Sequence, residues 1–286
     1  MKYKNYALAR IWSNLLTCPS TVSMSFSTFC MSAFRFALAS SLPDTKSPVR
    51  IASILVASSL LALPCSCASS LRIFGSSWSP AVLCSVCLED KVPRWRKGEG
   101  LGWLSAEYRL LPGSTPQRQS RELMKLSGRT QEIQRLIGRS LRAVIDLEAL
   151  GERTLLIDCD VVQADAGTRT AAVTGAWLAL RQACDTLQAR GLIGADPIRD
   201  QLAAVSVGLV DGIPLLDLDY SEDSRAEVDL NVVIAGDGRL LEIQGTAEGE
   251  AFSRQQLNDL LNLAEPGVQE LMQSQQHALT QRTQVP

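Results

Sequence analysis

Between Ala81 and Met272 the apolar residues recur with two distinct periods. Alternation over Ala81–Cys87, Gly102–Arg109 and Thr154–Gln163 predicts three strands. Ile133, Leu136, Ile137, Leu141, Val144, Leu147 and Leu150 recur at helical spacing, so Thr130–Leu150 predicts a helix that Gly151 stops. Thr168–Arg190, ended by Gly191, predicts a second helix. Its small residues (Ala171, Ala172, Gly175, Ala176, Ala179) suit close packing on a sheet or a neighbouring helix. A meander follows, with strands Leu202–Val210, Ile213–Asp219, Ala226–Ile234 and Arg239–Gly245 joined through Asp211-Gly212 and Gly236-Asp237-Gly238. Ser253 and Gln256 form a capping box for a last helix carrying Leu257, Leu260, Leu261 and Leu263. Pro266-Gly267 should kink or restart that helix. The pattern predicts one α/β domain, a mixed sheet with helices packed on it.

Residues 1–80 show neither period. They hold seven Lys/Arg but one acid, Asp44, together with eighteen Ser and four of the eight Cys. The apolar run Ile51–Pro64 is too short to span a bilayer and suits a signal-peptide core, but fifty residues precede it. Cys65 follows it, yet Pro64 just before the cysteine argues against lipoprotein processing. Residues 1–80 are therefore expected to be a poorly ordered segment, such as the product of another reading frame. The body should span 81–275, and a polar tail 276–286.

Charge sharpens this division. From Ala81 onward there are 21 basic and 29 acidic residues, yet Lys91–Arg142 alone holds twelve basic residues and four acids. A basic strip on an acidic body suits a polyanion guided to one face, or else is a solvated loop and helix surface. The single histidine, His277, excludes Ser/His/Asp and Cys/His nucleophile systems and the histidine-containing zinc sites. Cys84 and Cys87 form a lone C-x-x-C in a strand, where residues three apart face opposite sides, so they read as structural. Cys159 and Cys184 read as small buried hydrophobes of a reducing compartment.

Two corners carry candidate chemistry. Ser127-Gly128-Arg129-Thr130 and Ala166-Gly167-Thr168-Arg169-Thr170 each place an arginine where a loop gives way to a helix. Backbone N–H groups, helix dipole and guanidinium can there converge on one anion, although either corner could be a cap and nothing more. Asp158 and Asp160 share one face of the strand leading to the second corner. Later, Asp217, Asp219, Glu222, Asp223 and Asp229 are clustered. Their alternation with apolar residues fits the outer face of a half-buried sheet. It also allows Asp223 and Asp229 to converge on one divalent metal.

Long stretches from Val82 to about Leu271 resemble the ribonuclease PH family. They are GWLSAEY from Gly102, SGRTQEIQRLIGRSLRAVID from Ser127, GERTLLIDCDVVQADAGTRT from Gly151, LLDLDYSEDSRAEVDLNVV from Leu215 and EIQGTAEGEAFSR from Glu242. The resemblance implies a ribosomal-protein-S5-domain-2-like α/β fold and a phosphorolytic 3′-to-5′ exoribonuclease that trims transfer RNA precursors. It implies a cytoplasmic homo-oligomer, a hexameric ring of dimers, with no membrane partner. By this resemblance inorganic phosphate is held by Arg129, Gly167, Thr168 and Arg169, and Asp223 and Asp229 are catalytic and bind Mg²⁺. Arg118 and Arg121 would hold transfer RNA, while Gly113 replaces a third basic position and should weaken the grip. The family's opening strands, with an Asp-Gly-Arg segment, have no match in residues 1–80, so the sheet is expected to lack them and to leave an open edge. The alternatives are a non-catalytic RNA-binding ring subunit on the same fold, or an inactive product of an aberrant frame.

Overall fold

The computed structural model describes residues 49–57, 80–123 and 125–282. Among them the chain forms β1 (Val49–Ala57), β2 (Ala81–Glu89), a 3₁₀ turn (Arg94–Arg96), β3 (Trp103–Leu110), α1 (Gly128–Ala143), α2 (Leu147–Leu150), β4 (Thr154–Gln163) and α3 (Thr168–Ala189). It continues with β5 (Leu202–Val210), β6 (Ile213–Leu216), α4 (Tyr220–Asp223), β7 (Val228–Ala235), β8 (Leu240–Ala247) and α5 (Arg254–Arg282).

The strands divide between two four-stranded sheets, ordered β1-β2-β4-β3 and β6-β5-β7-β8. The first is mixed, because β3 and β4 run parallel while β2 is antiparallel to both of its neighbours. The meander, which the sequence pattern merges with that sheet, closes an antiparallel sheet of its own. Helix α3 lies between the two, packed on β1, β2 and β4 on one side and on β5 on the other. A helix apolar on all sides is stable only when enclosed. Ala172, Val173, Ala176, Trp177, Leu180 and Ala183 are accordingly all buried. Every residue of β5 is buried as well. Its alternate side chains serve two cores: Leu202 and Ala204 join the α3 side, while Ala203, Val205 and Val207 meet Leu260, Ala264 and Val268 of α5.

The edge expected to be open is covered. β1 pairs antiparallel with β2 from Val49↔Leu88 to Ala57↔Ala81, with one register shift between Arg50 and Ala52. An unpaired β2 would present a row of free N–H and C=O groups, and a segment as rich in β-branched residues as Val49–Ala57 is a natural partner. The expectation that residues 1–80 supply no strand is thus corrected at Val49–Ala57. Part of the signal-like run is sheet. Residues 1–48 and 58–79, with Pro64 and Cys65, lie outside the described residues.

Three further boundaries differ from the periodic reading. The predicted helix Thr130–Leu150 is two helices, because Ile145 leaves to pair with Ile198 and the Asp146 carboxylate caps α2 by accepting from Glu148 N and Ala149 N. Helix α5 runs without a restart through Pro266, which is exposed, so the hydrogen bond that proline removes is lost on the solvent side. The predicted polar tail is helical as far as Arg282. Gln275 is buried and donates to Thr174 O and Leu202 O, and Ala278 beyond it is also buried.

Cys84 and Cys159 face each other across β2 and β4, with sulfurs 3.8 Å apart, and are buried against α3. Burial pushes the Cys184 thiol up to about 12, and the Cys84 contact followed by burial raises that of Cys159. Cys87, on the opposite face of β2, is partly exposed. Iodoacetamide at neutral pH should therefore modify Cys87 ahead of the enclosed Cys84, Cys159 and Cys184. Peptide mass spectrometry reads the result, and early labelling of Cys184 in the folded protein would contradict this packing.

Candidate active site

β3 and β4 are parallel neighbours, and each is followed by a helix. The first turns of α1 and α3 come together, with Glu132 of α1 3.4 Å from Arg169 of α3, which gives one place where both corners can meet. At the first, Ser127 has extended backbone and its Oγ accepts from Thr130 N at 3.1 Å. At the second, Gly167 sits at φ +70°, a left-handed cap that a side chain would strain. A Cβ there would also come within 3.3 Å of Thr170 Oγ1, which donates to Gly167 O at 2.8 Å. Neither helix carries an acid in its first turn, so both positive dipole ends are left for an anion.

The side chains around these ends form a connected set. Arg169 Nη1 donates to Gln244 Oε1 at 2.8 Å and lies 3.4 Å from Glu132 Oε2. Gln244 Nε2 in turn donates to Glu132 Oε1 at 2.8 Å. The Arg169 fork is thus aimed by one residue of α1 and one of β8. Arg129, second in α1, is exposed. The Tyr108 phenol, on β3, is buried and donates to Thr168 Oγ1 at 2.9 Å. Asp165, in the turn before α3, accepts from Ala166 N at 3.0 Å and from Tyr220 N at 2.9 Å. That bond ties the second corner to α4, whose last residue is Asp223.

Electrostatics place the two aspartates in the same neighbourhood. Burial raises the Asp223 carboxyl above the usual carboxylate range; Arg129 and Arg169 pull it back, while Asp165 adds to the rise. Burial also raises Asp229, with the Asp223 charge next, against Arg169, an Asn231 hydrogen bond and Arg129. Both arginines thus act on both aspartates, brought together from positions between 54 and 100 residues apart in the chain. Both carboxylates are partly buried.

Other acids serve the chain itself. Asp219 caps α4, accepting from Glu222 N, while the Glu222 carboxylate accepts from Asp219 N. Asp158 and Asp160 lie on the face of β4 opposite buried Ile157, Cys159 and Val161, away from α3. Arg118 and Arg121 are exposed on the segment between β3 and α1. Among the described residues no group of three or more His, Cys, Asp or Glu could hold a metal ion, while Asp223 lies near enough to Asp229 for its charge to raise that carboxyl. Tyr108, Glu132, Asp165, Asn231 and Gln244 were not singled out from the sequence. Their partners are distant in the chain or, for Asn231, read as an alternating sheet face, so no local signal marks them.

Comparison with known proteins settles the relationship. Residues 79–184 match domain 1 of the 3′ exoribonuclease family and residues 200–267 match domain 2. The chain is 74% identical over 230 residues to ribonuclease PH of Synechococcus sp. (strain CC9605), covering 75% of this chain and 93% of that protein. The chain belongs to the ribonuclease PH family. Ribonuclease PH of Synechococcus elongatus is 55% identical over 237 residues, covering 83% of this chain and 98% of the relative. The fold is shared more widely. A chain of the Archaeoglobus fulgidus exosome with RNA bound to the active site superposes with a TM-score of 0.57 at 17% identity, covering 78% of this chain and 87% of that one. An archaeal exosome core gives 0.55 at 16%, covering 80% and 87%. The expected α/β family fold is thus the observed one. Among the described residues no helix is long and apolar enough to cross a membrane.

Proposed function

We propose that this protein is a phosphorolytic 3′-to-5′ exoribonuclease that trims transfer RNA precursors, releasing nucleoside diphosphates. In reverse it adds nucleotides to RNA 3′ ends. The observation that carries this reading is the meeting of Arg129 and Arg169, each at an acid-free helix N-terminus, with the half-buried pair Asp223 and Asp229. Inorganic phosphate, held by Arg129, Arg169, Thr168 and the N–H groups at the Gly167 corner, attacks the last phosphodiester of an RNA 3′ end. The arginines lower the repulsion between the two phosphates and fix the attacking one in place. No protein nucleophile is needed, in keeping with a single histidine that lies on α5.

Asp223 and Asp229 fit a Mg²⁺ ion. Both are raised by burial and Asp229 further by its neighbour, a penalty that a divalent cation offsets. Mg²⁺ is commonly held by one or two carboxylates, with water and substrate phosphates completing its shell. When bound it would supply charge stabilisation at the scissile group and the leaving oxygen. Arg118 and Arg121 are the RNA-gripping residues, and the working form is a cytoplasmic homo-oligomer, a hexameric ring of dimers. A non-catalytic ring subunit would have no use for Arg129, Arg169, Asp223 and Asp229 together, and all four are present.

Incubating the full chain with a 3′-extended transfer RNA tests the reaction. Shortening should require inorganic phosphate and release nucleoside diphosphates. Nucleoside monophosphates appearing in phosphate-free buffer would make it a hydrolase. Gly113 gives a separate handle, because nothing lies within 4 Å of a Cβ added there. Gly113→Arg should tighten RNA binding and steepen its salt dependence by about one phosphate contact. An unchanged salt slope in a filter-binding titration would place this position away from the RNA.

A further inference from the structure

We propose that Tyr108 is a positioning residue of the phosphate subsite, holding the Thr168 hydroxyl so that its proton is presented to the anion. This rests on the reading of Thr168 as a phosphate contact.

The argument is one of donors and acceptors. The Tyr108 phenol is 1% exposed and Thr168 5%. Burial pushes the phenol's pKa up, against the opposing Thr168 hydrogen bond and the Arg129 and Arg169 charges, so at neutral pH it carries its proton. A buried phenol proton needs an acceptor, and among the described residues Thr168 Oγ1, at 2.9 Å, is the one that receives it. A hydroxyl has one donor and two acceptor lone pairs. Once the phenol occupies a lone pair of Thr168 Oγ1, the threonine proton must point elsewhere. Thr170, two residues further on, spends its own proton on Gly167 O. Among the described residues Thr168 has no such backbone acceptor, and it is the first residue of α3, with Arg169 beside it and Arg129 close enough to act on the same phenol. Its free proton therefore belongs to whatever anion the helix end and the two guanidinium groups attract. Without the phenol the hydroxyl can rotate and offer a lone pair to that anion instead.

Tyr108→Phe keeps the ring that fills the core and removes only the hydroxyl. It should raise the phosphate half-saturation by about tenfold, the size of a partly lost hydrogen bond to a charged group. The KM for RNA and the kcat at saturating phosphate should stay near wild type. In a Thr168→Val background, Tyr108→Phe should add nothing further to the phosphate half-saturation, because the two changes break one chain of contacts. Calorimetric titration with inorganic phosphate provides the same comparison without turnover. A Tyr108→Phe protein with wild-type melting temperature and wild-type phosphate affinity overturns the proposal. So does an effect that simply adds to that of Thr168→Val, or that falls equally on phosphate and RNA, since each marks a general structural role. If the wild-type chain shortens RNA without phosphate, the functional reading fails first and this proposal falls with it; if wild type requires phosphate and the variant matches it, Tyr108 alone is refuted.

Discussion

Arg129→Ala is expected to lower phosphate-dependent RNA shortening by about a hundred- to a thousandfold, the loss seen when one charged or hydrogen-bonding clamp is removed from a preorganised site. Its side chain is exposed at the second position of α1, so the change should leave the unfolding free energy within about 0.5 kcal/mol of wild type. The same substitution at Arg169 should cost at least as much activity. It also frees Glu132 and Gln244, whose bonds aim the guanidinium, and leaves the Glu132 carboxylate unopposed beside the anion position. Arg169→Lys should not restore the rate, because an ammonium cannot reproduce the planar fork. Steady-state rates with and without phosphate check these outcomes. Full activity in Arg129→Ala would return the first corner to a simple helix cap.

Asp223→Asn and Asp229→Asn are each expected to reduce turnover by about a thousandfold or more, the scale of several kcal/mol lost with metal-assisted charge stabilisation. Binding of Mn²⁺, followed by paramagnetic resonance, should weaken in both variants. Stability should move the other way. A carboxyl whose pKa is raised in the folded protein favours folding while protonated and withdraws that support as pH climbs from the unfolded value through the folded one. Above that window the two carboxylates are charged and their burial is a standing cost in the absence of metal. Replacing either by Asn should therefore leave the metal-free melting temperature unchanged or higher. A marked drop in stability would show that the carboxylates hold the fold together, and undiminished activity in excess chelator would return them to ordinary surface acids.

Much of this site is legible locally. Gly167 before Thr168-Arg169, and Ser127-Gly128 before Arg129, mark helix starts through cap chemistry that depends on a few adjacent residues. The alternation in β2, β4 and β7 sorts inner from outer residues for the same reason, since a strand's two faces follow from its own backbone. Length, spacing and turn residues could not say that Val49–Ala57 would seal the edge of β2, because that pairing depends on a free row of hydrogen-bonding groups thirty residues away. Nor could they break the Thr130–Leu150 periodicity at Val144, where a bridge between Ile145 and Ile198 competes with the helix.

The sequence by itself thus determined most of the elements beyond Ala81, the two arginine-bearing corners and, through its long matching stretches, the family. Only the tertiary structure decided that α3 lies between two sheets, that Tyr108 reaches Thr168, that Asp165 binds the backbone of Tyr220, and that Glu132 and Gln244 aim Arg169. Caps and periods are properties of neighbouring residues, whereas these contacts join positions between 55 and 75 residues apart for Asp165–Tyr220, Tyr108–Thr168 and Arg169–Gln244. Such pairs exist only because parallel β3 and β4 bring two helix starts to one end of a sheet, and the packing of the second sheet on α3 delivers the aspartates to the same place.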